Sequence, residues 1–172
     1  MEKIAYAFCR VIKGEKALIK WKPLIISLAV SLGVGGLSAL LTRSEMAVYE
    51  GLNQPPLSPP GWVFGVVWTI LFTLMGIAAY LAWQADTGDQ RRRAIRFYAA
   101  QLAFNFVWTL IFFNARLFGL ALIWLVILWV LILLTTVQFY RLRPAAGWLM
   151  LPYLLWVTFA GYLNAGVWLL NR

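Results

Sequence analysis

Residues 118–140 read FGLALIWLVILWVLILLTTVQFY, a predominantly apolar run without a charged side chain. A helix rises about 1.5 Å per residue, so roughly 20 residues cross the ~30 Å hydrocarbon core of a bilayer. A helix satisfies its own backbone hydrogen bonds there, as a spanning segment must. The stretch therefore predicts a transmembrane helix.

Four further runs have the same character, at residues 24–41, 62–83, 97–113 and 148–170. The third is the shortest, and we expect it to extend into residues 93–96, whose arginine side chains can reach back to the membrane surface. The whole chain of 172 residues is 63% hydrophobic and only 12% charged, too few charges for a water-facing surface. The sequence predicts an all-α membrane protein, a bundle of five transmembrane helices over residues 24–172.

The charges predict an orientation. The chain has fifteen Lys and Arg residues and six acidic residues. The basic residues lie almost wholly outside the apolar runs, which favours anionic lipid over nucleic acid as their partner. Five spans place twelve of these basic residues on one side, in segments 1–22, 84–96 and 141–147, and three on the other. Because cytoplasmic loops carry the excess, we expect a cytoplasmic N-terminus and an external C-terminus, in a bacterial plasma membrane.

The first 23 residues form a separate basic segment. Ile4, Phe8, Val11 and Ile12 fall on roughly one helical face between lysines and arginines. Such a pattern is typical of a helix that lies on the membrane surface without crossing it. We expect residues 1–23 to be an interfacial segment ahead of the transmembrane domain.

Composition excludes several kinds of chemistry. The chain has no histidine and one cysteine, Cys9. A clustered zinc site, a histidine-ligated haem, an internal disulfide and the Ser-His-Asp or Cys-His mechanisms are therefore excluded. The five runs also contain no carboxylate for acid–base catalysis. We expect no resident metal, no cofactor and no catalytic residue.

Two helical faces in the apolar runs combine amide and aromatic groups. The first carries Gln101, Asn105, Trp108 and Phe112, at i, i+4, i+7 and i+11. The second carries Tyr153, Trp156, Ala160, Leu163 and Val167, with Asn164 on its flank. Two such faces that meet inside a bundle would line a pocket for a flat, largely apolar molecule. The alternative is that the three amides only hydrogen-bond across helices, at about 0.6 kcal/mol each.

Ten tryptophans require two explanations. Those at the ends of the runs, Trp21, Trp62, Trp83 and Trp148, fit the aromatic belt of any membrane protein. Trp68, Trp108 and Trp156 lie deeper and are better candidates for a binding site.

The loop between the first two runs, residues 42–61, contains four prolines, at positions 55, 56, 59 and 60. Prolines fix φ and remove backbone donors, so we expect residues 53–61 to form a stiff, extended ribbon. Long loops beside a bundle are often lids. A rigid connector without contact to a ligand is the equally open alternative.

Small residues recur every four positions in the first run, at Ser27, Ser31, Gly35 and Ala39. Such a stripe lets two helix backbones approach closely. Packing within the chain is the expected use. Ala99 with Ala103, and Gly161 with Ala165, repeat the spacing, and any of these stripes could also serve a homodimer.

Three segments resemble the translocator protein or tryptophan-rich sensory protein family, also called the peripheral benzodiazepine receptor family. The first runs from Pro55 through Ser58-Pro59-Pro60-Gly61-Trp62-Val63-Phe64 to Trp68. The second holds Tyr98, Gln101, Leu102, Asn105, Trp108, Phe112, Phe113, Ala115 and Arg116. The third holds Pro152, Tyr153, Trp156, Phe159, Ala160, Leu163, Asn164 and Asn171. The likeness extends over residues 24–172, and residues 1–22 lie outside it.

The resemblance implies a five-helix, often dimeric protein with a pocket beneath the loop between its first two helices. Family members bind porphyrins, and some bind sterols or drug-like ligands. By matching position, the pocket here would include Trp68, Asn105, Trp108, Trp156, Ala160 and Leu163, under a lid with Pro55, Leu57 and Pro59. We therefore expect a membrane binding protein for porphyrin or similar flat ligands, acting as sensor, carrier or regulator.

Two departures bear on the alternatives. Leu57 stands where the family pattern commonly has Trp, so a light-dependent porphyrin-degrading enzyme that needs paired tryptophans would keep Trp156 and lose its partner. The sterol-recognition pattern near the C-terminus is also absent. A lipid-binding interaction protein, with its function in its partners, is the other alternative.

Overall fold

The computed structural model describes residues 19–85 and 88–172, and most of them lie in five long helices. In chain order these are α1 (Trp21–Thr42), α2 (Gly61–Ala85), α3 (Asp89–Thr109), α4 (Phe118–Leu142) and α5 (Pro144–Leu170). Each helix is long and apolar enough to cross a membrane. The predicted bundle of five transmembrane helices is confirmed, whereas residues 1–18 of the predicted interfacial segment lie outside the described residues.

Four of the five helices begin before the apolar runs that predicted them, whereas α4 begins at Phe118, as its run does. Helix α1 starts at Trp21, inside the segment expected to be interfacial, and α5 starts at Pro144, because proline at a first helical position loses no hydrogen bond. Helix α3 starts at Asp89, whose negative charge suits a helix N-terminus, so it includes the arginines into which it was expected to extend. The guanidinium of Arg91 lies 4.2 Å from the ring centre of Trp83.

The loop 43–60 is more structured than a ribbon. It forms a 3₁₀ turn at Arg43–Glu45 and a short helix at Met46–Glu50. The predicted continuous extension is wrong at residues 55–58. There the backbone N–H of Ser58 donates to the carbonyl of Pro55 at 3.3 Å, and Leu57 adopts a φ of 70°. The Ser58 hydroxyl also donates to Pro55 O at 2.8 Å, which stabilises this turn.

Helices α1 and α2 approach closely through small residues. A Cβ atom on Gly35 would overlap the ring of Phe72, and one on Gly76 would lie 3.1 Å from the Cα of Leu28. The hydroxyl of Ser31 hydrogen-bonds with that of Tyr98 in α3. Ser27, Ser31 and Gly35 of the small-residue stripe therefore pack within the chain, whereas Ala39 is exposed. Ala99 and Ala103 are exposed, and a dimer through them stays a prediction.

The first and last residues that the structure describes lie at opposite ends of the bundle. The backbone N–H of Lys20 donates to the hydroxyl of Tyr80, near the end of α2, at 3.0 Å. Asn171, just after α5, hydrogen-bonds instead with Asn53 in the loop between α1 and α2. We call the half of the bundle beside this loop the roof half and the opposite half the sealed half.

The sealed half is filled by side chains without solvent exposure. Ala78, Ala82, Ile132, Phe139 and Met150 are each 0% exposed. Alanines at facing positions allow the helices to approach, and larger side chains fill the remaining space. These side chains form the packed core of this half.

Candidate functional site

A cavity of about 320 Å³ lies in the roof half, between α1, α2, α3 and α5. Small-molecule sites usually enclose roughly 300–1,000 Å³ and are lined mainly by apolar groups. Aromatic rings from α2, α3, α5, the short helix Met46–Glu50 and the segment Leu110–Asn114 form much of this wall, and among the described residues that line it none is charged. The cavity therefore suits a small, uncharged or largely apolar occupant.

Eight of the residues expected at the site line this cavity. They are Trp68, Asn105, Trp108, Phe112, Trp156, Ala160, Leu163 and Asn164. The helical spacing brings them together as expected, because α3 and α5 turn these two faces toward α2 and toward each other.

Gln101 lies below the cavity and does not line it. Its side chain is fully buried and accepts a hydrogen bond at Oε1 from the hydroxyl of Tyr153 at 3.0 Å. Its Nε2 lies 3.9 Å from the sulfur of Met75, a weak acceptor. The structural alternative therefore describes Gln101 better than ligand contact.

The three expected lid residues, Pro55, Leu57 and Pro59, also lie outside the cavity wall. Pro55 is buried against Gly166 of α5, Pro59 is half-buried, and Leu57 is 82% exposed. The turn at residues 55–58 directs this segment over the outer end of α5. These three side chains therefore do not line the cavity, and their contact with a ligand stays a prediction.

Tyr49, from the short helix Met46–Glu50, is the loop residue that closes the cavity. Its ring centre lies 5.7 Å from that of Phe64, 6.0 Å from Phe112 and 5.8 Å from Phe113. We call these four rings the aromatic roof. Aromatic pairs at such distances and tilts are favourable contacts, so the roof is a packed layer.

Polar contacts hold the loop against the roof half. Gln54 Nε2 donates to the backbone carbonyl of Tyr49 at 2.9 Å. Arg116 and Glu45 form an ion pair at 2.8 Å, and Asn114 Nδ2 donates to Leu41 O at 3.0 Å. The first bond lies within the loop, and the other two connect the end of α1 and the start of the loop to residues 114–116, which follow α3 in the chain.

A second set of contacts holds the end of the loop to α5. The backbone N–H of Asn53 donates to Asn171 Oδ1 at 3.1 Å, and Asn171 Nδ2 donates to Asn53 O at 2.9 Å. The hydroxyl of Tyr162 donates to Pro56 O at 2.9 Å. The loop is therefore fastened at both ends.

Amide and hydroxyl groups at the floor of the cavity are hydrogen-bonded across helices. Asn105 Nδ2 donates to the hydroxyl of Tyr153 at 3.1 Å. Trp108 Nε1 donates to Asn164 Oδ1 at 3.3 Å, and Asn164 Nδ2 donates to Phe118 O at 2.9 Å. Asn105 and Asn164 thus connect helices and line the cavity at once.

Two buried donors in the cavity wall lack a hydrogen-bond partner within the described part of the chain: the Tyr49 hydroxyl and the Trp156 Nε1–H. Burial raises the pKa of the Tyr49 phenol, and the nearby Ser58 hydroxyl opposes that shift. The phenol therefore keeps its proton at neutral pH. A buried, unsatisfied polar group costs about 1–3 kcal/mol, which a ligand with an acceptor atom could offset.

The spacing argument missed one wall of the cavity completely. That wall consists of Leu32, Gly35, Gly36, Ser38, Ala39 and Thr42 of α1, with Phe64, Gly65, Thr69 and Phe72 of α2. The small-residue stripe was the available signal. Residues without large side chains allow close packing at some positions and leave empty space at others.

Comparisons with known proteins agree with this architecture. The sequence profile of the TspO/MBR family matches residues 25–169. The translocator protein of Homo sapiens is 38% identical over 151 residues, which cover 86% of this chain and 89% of the relative. The tryptophan-rich protein TspO of Archaeoglobus fulgidus is 35% identical over 86% of this chain and 96% of its own length. The tryptophan-rich sensory protein of Cereibacter sphaeroides is 41% identical over 77% and 81%. The chain is an integral membrane protein that belongs to the TspO/MBR family.

Proposed function

We propose that this protein binds a tetrapyrrole or a similar flat, hydrophobic molecule in the roof-half cavity and acts as a sensor, carrier or regulator. The observation that carries the proposal is the cavity wall itself, in which the aromatic side chains of Trp68, Trp108 and Trp156 surround an uncharged space. A flat, aromatic ligand gains both apolar burial and ring stacking in such a site.

The unpartnered donors narrow the choice of ligand. Tyr49 and Trp156 both line the cavity and carry buried donors without a partner among the described residues, and we propose that each donates one hydrogen bond to an occupant. A porphyrin with carboxylate side chains presents acceptors at its edge and an aromatic face at its centre. The names of the relatives, which describe translocation and sensing, are consistent with a ligand-binding role.

The first experiment is a fluorescence titration with protoporphyrin in lipid nanodiscs. Indoles close to a bound porphyrin are quenched, so we expect saturable quenching of tryptophan emission. Trp156→Ala should weaken binding by about 1–3 kcal/mol, as loss of an aromatic anchor does. Trp21→Ala is the matched control, because Trp21 is 64% exposed at the start of α1. Equal losses of affinity in both variants would mean that protoporphyrin only partitions into the bilayer, and the site assignment would be withdrawn.

Lipid is the second candidate occupant, and the apolar lining favours it as well. Mass spectrometry of molecules that co-purify with the protein in mild detergent separates a tetrapyrrole from a lipid. We do not propose light-dependent porphyrin breakdown as the main activity, because position 57 carries Leu where a mechanism with paired tryptophans would need Trp. Product analysis after illumination tests that alternative.

We also propose that the roof half faces away from the cytoplasm. The support is the count of twelve basic residues against three, since cytoplasmic segments carry the excess. Single cysteines at positions 2 and 172, in a Cys9→Ser background, should react with a membrane-impermeant thiol reagent from opposite sides. Reaction of position 172 from the cytoplasmic side would reverse the orientation.

A further inference from the structure

The cavity reaches the outer surface of the bundle between α1 and α2. Its wall includes Leu32, Gly36 and Ala39 of α1, and Gly65 and Thr69 of α2, and all five residues are exposed. The residues that line the cavity at α3 and α5, in contrast, are buried or half-buried. The cavity is therefore enclosed toward the bundle centre and open at one side.

Two glycines leave space at this opening. A Cβ atom on Gly36 or on Gly65 would meet nothing within 4 Å in the described chain. These glycines differ from Gly35, where a Cβ atom would overlap the Phe72 ring. Gly35 thus serves packing, whereas Gly36 and Gly65 border a gap between the same two helices.

The surface around the gap is apolar. Leu40 is 71% exposed on α1, and Trp62, Val66 and Ile70 are 72%, 51% and 54% exposed on α2. Such side chains face the hydrocarbon in a membrane-spanning helix. The gap therefore opens to lipid and not to water.

The other route to the cavity, past the loop between α1 and α2, is closed by several contacts. Tyr49 packs against three rings, and the loop is held by the Glu45–Arg116 ion pair and by the reciprocal Asn53–Asn171 hydrogen bonds. A ligand from the water side would have to break several of these contacts together. A ligand from the bilayer would have to displace none of them.

We infer that the ligand enters and leaves this cavity sideways from the bilayer, through the gap between α1 and α2, while the aromatic roof stays closed. The inference rests on the proposed binding function and specifies where the ligand comes from: the ligand is dissolved in the lipid bilayer. The loop is then a fixed wall of the site, and Gly36 and Gly65 set the width of the opening.

The test measures how fast a reagent reaches a thiol in the cavity wall, and it needs no knowledge of the physiological ligand. Ala160→Cys, in a Cys9→Ser background, places a single thiol in the cavity wall. The protein in lipid nanodiscs is treated with N-phenylmaleimide, which dissolves in lipid, or with a charged methanethiosulfonate, which does not. The labelling rate is then compared between variants that carry the same thiol.

Gly36→Leu and Gly65→Leu, alone and combined, narrow the gap, and the space around both glycines allows the fold to remain. Gly33→Leu is the matched control, because Gly33 is an exposed glycine of α1 with equally free space and does not line the cavity. Asn171→Ala loosens the loop without affecting the gap. Elution profiles and thermal unfolding of each variant check that the bundle is intact.

The combined Gly36→Leu and Gly65→Leu variant should react with N-phenylmaleimide about tenfold more slowly than Gly33→Leu, which corresponds to ~1.4 kcal/mol in the barrier. Asn171→Ala should leave the rate unchanged, and the charged reagent should label slowly in every variant. Equal rates in the narrowed and control variants would overturn the inference, and so would faster labelling by the charged reagent in Asn171→Ala. Failure of protoporphyrin to bind would instead refute the tetrapyrrole proposal and leave this labelling comparison valid.

Discussion

The hydrogen bond between Gln101 and Tyr153 lies between the two halves of the bundle. In the sealed half the helices pack around fully buried side chains, whereas in the roof half the same helices surround a cavity. In the sealed half, Ala78 and Ala82 of α2 face the core with no exposure. In the roof half, α2 instead presents the rings of Phe64 and Trp68 at the cavity wall. Small residues let two helices approach closely, and large aromatic rings that pack against one another keep the helices farther apart.

Buried polar groups at different levels of the bundle are satisfied to different degrees. Gln101 and Tyr153 are fully buried and hydrogen-bonded at the level that divides them. The Tyr49 hydroxyl and the Trp156 N–H, in the roof half, are buried without a partner in residues 19–85 and 88–172. A third buried donor without a partner among the described residues, Gln84 Nε2, lies near the end of α2 in the sealed half, so it is the side-chain packing and not the polar groups that distinguishes the two halves. The sealed half should therefore determine stability, and the roof half should determine affinity.

Phe139→Ala should give the largest effect. Phe139 is fully buried in the sealed half and its ring centre lies 5.6 Å from that of Tyr98. Removal of a buried phenyl ring should lower the free energy of unfolding by about 3–5 kcal/mol, through lost contacts and a new cavity. Denaturant unfolding in detergent measures it, and Val137→Ala, at a partly exposed position of the same helix, is the control.

The same variant also tests whether the halves are independent. Porphyrin affinity of the folded Phe139→Ala protein should stay within about twofold of the wild-type value, because distant sites without shared partners are nearly additive. A large loss of affinity with no loss of stability would reverse the roles assigned to the two halves.

Tyr49→Phe should give a smaller and more selective effect. The substitution removes only the unpartnered hydroxyl and keeps the ring contacts of the roof. Binding of protoporphyrin should weaken by about 1 kcal/mol, the usual value of one hydrogen bond, while binding of an alkyl porphyrin without oxygen atoms should not change. Tyr162→Phe is the control, because the Tyr162 hydroxyl donates to Pro56 O.

Equal weakening for both porphyrins in Tyr49→Phe would mean that the hydroxyl acts through the fold and not on the ligand. Thermal unfolding provides a second readout. Because the hydroxyl has no hydrogen-bond partner within bonding geometry among the described residues, its removal should not lower the midpoint of unfolding.

The helices and most of the site could be predicted from the sequence for a simple reason. Membrane thickness fixes the length of an apolar run, and helical periodicity fixes which residues share a face. Trp108 and Asn105 on α3, and Trp156 and Ala160 on α5, follow directly from those two rules. Their position in one cavity required only that α3 and α5 turn these faces inward.

The wall at α1 and the roof could not be predicted in the same way. Gly35 and Gly36 are neighbours in the sequence, yet one packs against Phe72 and the other borders the gap, because a helix turns about 100° between them. Tyr49 becomes the roof only because residues 46–50 form a helix. The proline-rich segment instead led to the prediction that Pro55, Leu57 and Pro59 form a lid. The turn at residues 55–58 places these three residues outside the cavity wall.

The comparison of Ala160→Leu with Ala29→Leu in the protoporphyrin titration tests the central claim most directly. Ala160 lines the cavity and is 8% exposed, whereas Ala29 is an exposed residue of α1 outside it, so the same added volume fills the site in one variant and faces lipid in the other. If the roof-half cavity is the binding site, Ala160→Leu should weaken binding by at least about tenfold, or ~1.4 kcal/mol, and Ala29→Leu should bind like the wild type. Equal affinity of the two variants, with both bundles intact, would contradict the account.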